Sequence, residues 1–253
     1  MSPLEASLVA LAGLAAGAIN ALVGSGTLIT FPTLLAFGVP PVTANVSNTI
    51  GLVPGSAAGS FGYRHELAHQ GRRLRRLAPA SIAGGLVGGL LLLWAPGAFE
   101  AIVPALIGLG VVLVIAGPRV AAWVARRHEA VGGLPEGGAW WVWPGMFLCG
   151  VYGGYFGAAQ GVLMMAVMGI GIDEALQRLN GLKNVLAMLV NLVSGILFAL
   201  VADVDWTIAL LIAVGAAVGG LLGASVGRRL PAWVLRGLIV VVGVTALVVF
   251  LLH

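Results

Sequence analysis

Residues 145–172 read GMFLCGVYGGYFGAAQGVLMMAVMGIGI, an apolar run whose polarity changes only around Gly157–Gly161. The run is too long for one straight helical crossing, which takes about 20 residues. The preceding stretch, 118–142, carries Arg119, Arg126 and Arg127, and the following segment, 176–200, ends before the acidic Asp203 and Asp205. Basic loops stay on the cytoplasmic side of a membrane. The run therefore enters and leaves on the same side, and the glycines divide it into two short helices, 145–158 and 161–172, folded as a hairpin. The competing reading is one tilted, broken crossing.

Working outward, the same pattern recurs. Residues 8–38 form an apolar run interrupted at Gly24 and Gly26, read as a second hairpin of 8–24 and 27–38. Further apolar segments follow at 43–63, 77–94, 98–117, 176–200, 206–227 and 233–252. Arg64, Arg72, Arg73, Arg75 and Arg76 lie between the third and fourth segments, and Arg228, Arg229 and Arg236 near the end. These loops are assigned to the cytoplasm, and 95–98 and 201–206 to the opposite side. Trp94, Trp140, Trp141, Trp143, Trp206 and Trp233 stand at segment ends, where interfacial aromatics belong.

Composition agrees. Hydrophobic residues make up 60% of the chain and charged residues 9%, with a mean hydropathy of +1.06. That leaves too little charge to wet the surface of a soluble domain. The formal charge of +4 sits in topology-setting arginine clusters, so nucleic acid is not an expected partner. Cys149, the one cysteine, reads as a small core residue. The N-terminus lacks the basic flank of a signal peptide and is expected to be retained. The chain is expected to be an all-α, multi-pass protein of the cytoplasmic membrane.

The two halves match when the first is shifted by the 135 positions that separate Gly26 from Gly161. Asn45 then falls on Asn180, Asn48 on Lys183 and Thr49 on Asn184. Because the matching segments carry opposite predicted orientations, the expectation is two inverted-topology repeats. Each has two short glycine-interrupted helices and three full crossings, eight to ten membrane segments in all. The boundaries are 1–117 for the first repeat, 118–142 for a cytoplasmic connector and 143–253 for the second repeat. In such folds the transport site lies at the midplane between repeats. Gly51, Gly55 and Gly59, and Gly215, Gly219, Gly223 and Gly227, recur every four residues, a packing signal within one chain or between chains. A homo-oligomer stays open on that ground.

Polar residues inside the segments point to the cargo. Asn180, Lys183 and Asn184 share one helix face, with Asn191 two turns beyond Asn184. Lys183 is the sole lysine beside twelve arginines, and it lies within a segment. A charge there costs at least ~2.5 kcal/mol unless it finds water or a partner. The bland reading is a snorkelling lysine or one paired with Glu174; the functional reading is an anion ligand. Asn45, Asn48 and Thr49 are expected across the site from Asn180, Lys183 and Asn184. Gly24, Ser25 and Gly26 in one break, and Gln160 and Gly161 in the other, are expected to offer backbone or side-chain donors, as glycine-rich anion cradles do. Asn20 stands beside the first break.

These residues resemble a known family. Gly17…Val23-Gly24-Ser25-Gly26, Phe31-Pro32-Thr33-Leu34-Leu35…Gly38-Val39-Pro40, Thr43-Ala44-Asn45-Val46-Ser47-Asn48 and Asn180-Gly181-Leu182-Lys183-Asn184 with Asn191 are similar to the sulfite exporter TauE/SafE family. The family is also called the 4-toluene sulfonate uptake permease family. The resemblance implies export or uptake of sulfite, sulfonates or related small organosulfur anions. Where the family often has a longer glycine run, this chain has Gly24-Ser25-Gly26 and Ala158-Ala159-Gln160, which leaves the exact substrate open.

The expected function is a permease or exporter of a small sulfur-containing anion, working by alternating access. The alternative is a channel or carrier for another small anion or a neutral solute, and a purely structural membrane subunit is a further rival. An intramembrane enzyme is not expected: a serine type needs a buried His, whereas His65, His69, His128 and His253 lie in loops or at the end. No cofactor or metal site is expected. Facilitated diffusion, or a proton carried on the substrate itself, fits the lack of a side-chain relay.

Overall fold

A computed structural model describes residues 1–130, 138–225 and, beyond them, 237, 239–245 and 247–248. Among the described residues the regular structure is entirely helical. Its elements are α1 (Pro3–Leu22), α2 (Thr27–Ala36), α3 (Pro41–Gly62), α4 (Gly71–Trp94), α5 (Pro96–Ala130), α6 (Val142–Tyr155), α7 (Gln160–Gly171), α8 (Leu176–Val201) and α9 (Trp206–Ser225). Helical residues also occur at 239–245. Half of the predicted segment 233–252, Trp233 included, lies outside the described residues, as do Arg228, Arg229 and Arg236.

Local chemistry sets several ends. Ser2 and Glu5 form a reciprocal capping box at the start of α1, where Pro3 occupies the first helical position. The Asp205 carboxylate caps α9, accepting from the amides of Thr207 at 2.9 Å and Ile208 at 3.0 Å. Two expected boundaries move. Arg72, Arg73, Arg75 and Arg76 lie on the first turns of α4, not in a loop, and α5 continues through Pro118 to Ala130.

Five described helices, α1, α4, α8, α9 and the Pro96–Arg119 part of α5, are long and apolar enough to cross a membrane, whereas α2 and α7 are apolar but short. Trp94, Trp140 and Trp206 are largely exposed at helix ends. The breaks fall where the glycines placed them. In the second break the arms run antiparallel: Gly145 packs against Val167, Gly171 against Val142, and Gly153 against Gln160. Their far ends meet, the Ala139 amide donating to the Gly171 carbonyl at 2.7 Å. Residues 142–171 thus form a helical hairpin.

The glycine stripes set the packing. Gly215, Gly219 and Gly223 of α9 lie against the α1 backbone at Ala10, Leu14 and Ala18; Gly84 and Gly88 of α4 lie against α6 at Phe147 and Val151. Gly51 and Gly55 bring α3 onto α9 at Ile212 and Ala216. A methyl at these places would enter backbone or packed side-chain atoms, so glycine is what permits helices this close. The first helix of each half packs on the fourth helix of the other, and α3 and α8 lie side by side between these pairs.

Candidate functional site

The centre is built from the two breaks. In the first, the amides of Val23 and Gly24 both donate to the Ile19 carbonyl, at 2.7 and 3.0 Å. In the second, Phe156 and Gly157 both donate to Tyr152, at 2.9 and 3.0 Å. Gly24 and Gly157 then turn the chain through φ +86° and +75°, a left-handed conformation that glycine adopts without strain. Ala159 holds φ +59° just before α7. The breaks touch each other: the Gly161 amide donates to the Gly24 carbonyl at 3.0 Å. A Cβ on Gly161 would stand 2.5 Å from the Gly24 Cα.

A helix that stops inside an apolar interior leaves carbonyls without partners, at considerable cost. Here the opposite half supplies them. Lys183 of α8 donates from Nζ to the Asn20 carbonyl at 3.0 Å and the Ala21 carbonyl at 3.5 Å. Asn180 and Asn184 each donate to Ala21 at 3.2 Å. On the other side, Asn45 of α3 donates to the Tyr155 carbonyl at 3.0 Å, where α6 ends. Lys183 is 1% exposed and lies at the negative end of the α1 dipole. It neither snorkels nor pairs with Glu174.

Glu174, in the turn before α8, instead accepts from Gln70 at 2.8 Å, from Arg73 and from the Ala175 amide, with Arg178 at 3.6 Å. Burial acts to raise its carboxyl pKa. The bonds from Gln70, Ala175 and Arg73, with the Arg73 charge, outweigh that and hold it at about 2.

Lys183 also borders a small, partly open polar cavity, with about 360 Å³ of empty space when the open solvent at its mouth is counted. Asn20, Gly24, Thr27, Ser56, Gly157, Gln160, Gly161, Asn184, Ala187 and Asn191 complete the wall. Gln160 is 4% exposed, and its Nε2 has no hydrogen-bond partner. Lys183 adds a donor: two of the three protons of an ammonium serve α1, and one is left over.

Of the residues singled out in sequence, Gly24, Gln160, Gly161, Lys183 and Asn184 therefore meet at one cavity. Asn45, Asn48, Thr49, Asn180, Ser25 and Gly26 do not line it. Asn48 accepts from the Thr30 hydroxyl at 2.5 Å and donates to Thr27 at 3.4 Å, holding α2 to α3. The Thr49 hydroxyl donates back to the Asn45 carbonyl at 2.8 Å. Ser25 is fully buried with an unpartnered hydroxyl. The expected row of free backbone donors is not there either: the amides of Gly24, Gly26 and Gly161 are bonded to Ile19, to the Asn20 side chain at 2.6 Å and to Gly24. Backbone donors in an apolar interior take the nearest acceptor. Glu100, a carboxylate within a predicted segment, is exposed near the start of α5 and not part of the wall.

Thr27, Ser56 and Ala187 are wall residues that sequence reasoning missed. The repeat shift held the signal for one of them, since it places Ser56 on Asn191. Among the described residues no cluster of His, Cys, Asp or Glu could hold a metal ion.

A family model described as sulfite exporter TauE/SafE matches residues 9–250, nearly the whole chain. The chain belongs to the sulfite exporter TauE/SafE family. A relative from Sinorhizobium sp, described as probable membrane transporter protein ORF9, is 28% identical over 237 residues, covering 90% of this chain and 85% of its own length. This TauE/SafE protein is a membrane transporter, and the bilayer and a small-molecule substrate are its partners.

Proposed function

We propose that this TauE/SafE protein carries a small sulfur-containing anion, sulfite or an organosulfonate, across the cytoplasmic membrane by alternating access. The reading is carried by one observation: the sole lysine, buried at the junction of the two breaks, borders a polar cavity with no carboxylate in its wall. Family membership supplies the sulfur chemistry. The anion would sit between Lys183 Nζ and the Gln160 amide, with Asn184, Asn191 and Ser56 as further polar neighbours.

The two broken arms, 3–36 and 142–171, are read as re-entrant hairpins of two inverted repeats, and the transport step as a rocking of one repeat against the other. Cross-half bonds of the same kind at both breaks, Asn45 to Tyr155 and Asn180 to Ala21, support that symmetry.

The test is flux into proteoliposomes loaded in turn with sulfite, sulfate, thiosulfate, sulfoacetate and taurine. At least one sulfur anion should show saturable uptake with counterflow, reduced at least about tenfold in Lys183→Gln, which removes the charged donor. Linear, non-saturating flux would make the protein a channel. No flux of any sulfur anion would overturn the reading.

A further inference from the structure

The cavity wall has an unusual charge count for an oxyanion site. Among the described residues Lys183 is its only charged side chain; every other described wall residue is neutral. Arg73 and Arg178 are paired with Glu174 at the turn before α8 and are not in the wall. Helix ends add little net field. The C-terminal carbonyls of α1 face Lys183, while the first turn of α7 reaches the same cavity through Gln160 and Gly161. These partial charges have opposite signs and similar size.

Donor supply is equally limited. Two of the ammonium protons of Lys183 serve the Asn20 and Ala21 carbonyls, leaving one. Gln160 also borders the cavity, and its Nε2, packed against Gly153, has no hydrogen-bond partner. An ion carrying one negative charge finds one positive side chain among neutral wall residues. An ion carrying two would keep an uncompensated charge in a small space whose wall offers no second cation, which is disfavoured.

We infer that the cavity is matched to singly charged oxyanions, of the form R–SO₃⁻, and discriminates against dianions of the same size. This rests on the reading of Lys183 as the anion ligand. It also selects a chemical form of sulfite: hydrogen sulfite is the transported species and the sulfite dianion is excluded. A proton then travels on the cargo without any side-chain relay.

Sulfate, methanesulfonate and sulfamate share a tetrahedral sulfur and nearly the same volume, and the latter two carry one charge where sulfate carries two. Sulfamate also has a polar fourth group, which separates charge from greasiness. Uptake of each is measured in proteoliposomes of the wild-type chain and of Asn191→Lys, which adds a second cation to the wall. Both monoanions should exceed sulfate by at least about tenfold, and Asn191→Lys should narrow that ratio in favour of sulfate.

Sulfate flux equal to or above that of the monoanions would overturn the inference while leaving sulfur-anion transport standing. Flux of methanesulfonate but not sulfamate would also overturn it, because apolarity and not charge would be the criterion. Should Asn191→Lys be made in folded form and leave the ratio unchanged, the inference fails too. Absence of flux for all three, with sulfite as well, would remove both this inference and the transport reading.

Discussion

Glu174 and Lys183 both bind the halves together, and they do so by different means. The Glu174 carboxylate, its pKa lowered from 4.5 to about 2, ties the turn before α8 to Gln70 and to Arg73 of α4. A group whose folded pKa is depressed contributes stability above its unfolded pKa and loses it as pH falls toward the folded one. Thermal unfolding in detergent, followed by tryptophan fluorescence, should therefore weaken as pH drops from about 4.5 to about 2. Glu174→Gln should be less stable at pH 7, by roughly 1 kcal/mol for a partly buried pair, and should show a shallower acid dependence. Equal melting of both proteins at pH 7 would mean that the cluster contributes nothing. Lys183 shows what residue-level reading can and cannot do. Its charge inside an apolar segment marked it from the sequence alone. That its first two hydrogen bonds serve helix α1, and only the remainder the cavity, depends on where α1 stops in space.

At the scale of elements, glycine does two jobs that substitution separates. Gly223 of α9 packs on α1, and a Cβ there would lie 2.5 Å from the Ala18 carbonyl oxygen. Gly108 of α5 has nothing within 4 Å of an added Cβ. Gly223→Ala should destabilise by about 1–3 kcal/mol, as overpacking does, while Gly108→Ala should be neutral or stabilising by up to about 1 kcal/mol. Matched melting curves in detergent check both, and equal shifts would refute the packing account. Most helix ends were legible because polarity changes sharply there: the breaks at Gly24 and Gly157, the start of α9 at Asp205, the end of α4 at Trp94. Two ends were not. Four arginines between 72 and 76 read as a loop, yet a helix can carry them once its first turns lie outside the apolar layer. Pro118 and Arg119 read as a stop, yet α5 continues through them, since proline inside a membrane helix is tolerated when neighbouring groups satisfy the freed carbonyl.

At the scale of the molecule, the decisive feature is that the two breaks touch. Gly24 and Gly161, about half the chain apart, make a direct backbone bond, and the cavity opens beside it. The sequence repeat indicated that equivalent residues would converge, and Gly24, Gln160, Gly161, Lys183 and Asn184 lie together in one cavity wall. It did not show that the halves interleave, with α1 on α9 and α6 on α4. For that reason Asn45 and Asn48, which share a helix with the cavity residue Ser56, bond α3 to α6 and α2, and Thr49 bonds back to its own helix, instead of facing the cavity. Spacing along a helix fixes which residues share a face; it does not fix what that face meets.

The central claim is that the anion sits between Lys183 and Gln160, where the breaks join. Anomalous diffraction from crystals soaked in hydrogenselenite, a selenium stand-in for hydrogen sulfite, locates it directly. The account predicts a selenium peak within hydrogen-bond reach of Lys183 Nζ and Gln160 Nε2. A peak elsewhere, with the cavity empty and Lys183 still bonded only to the Asn20 and Ala21 carbonyls, would contradict it.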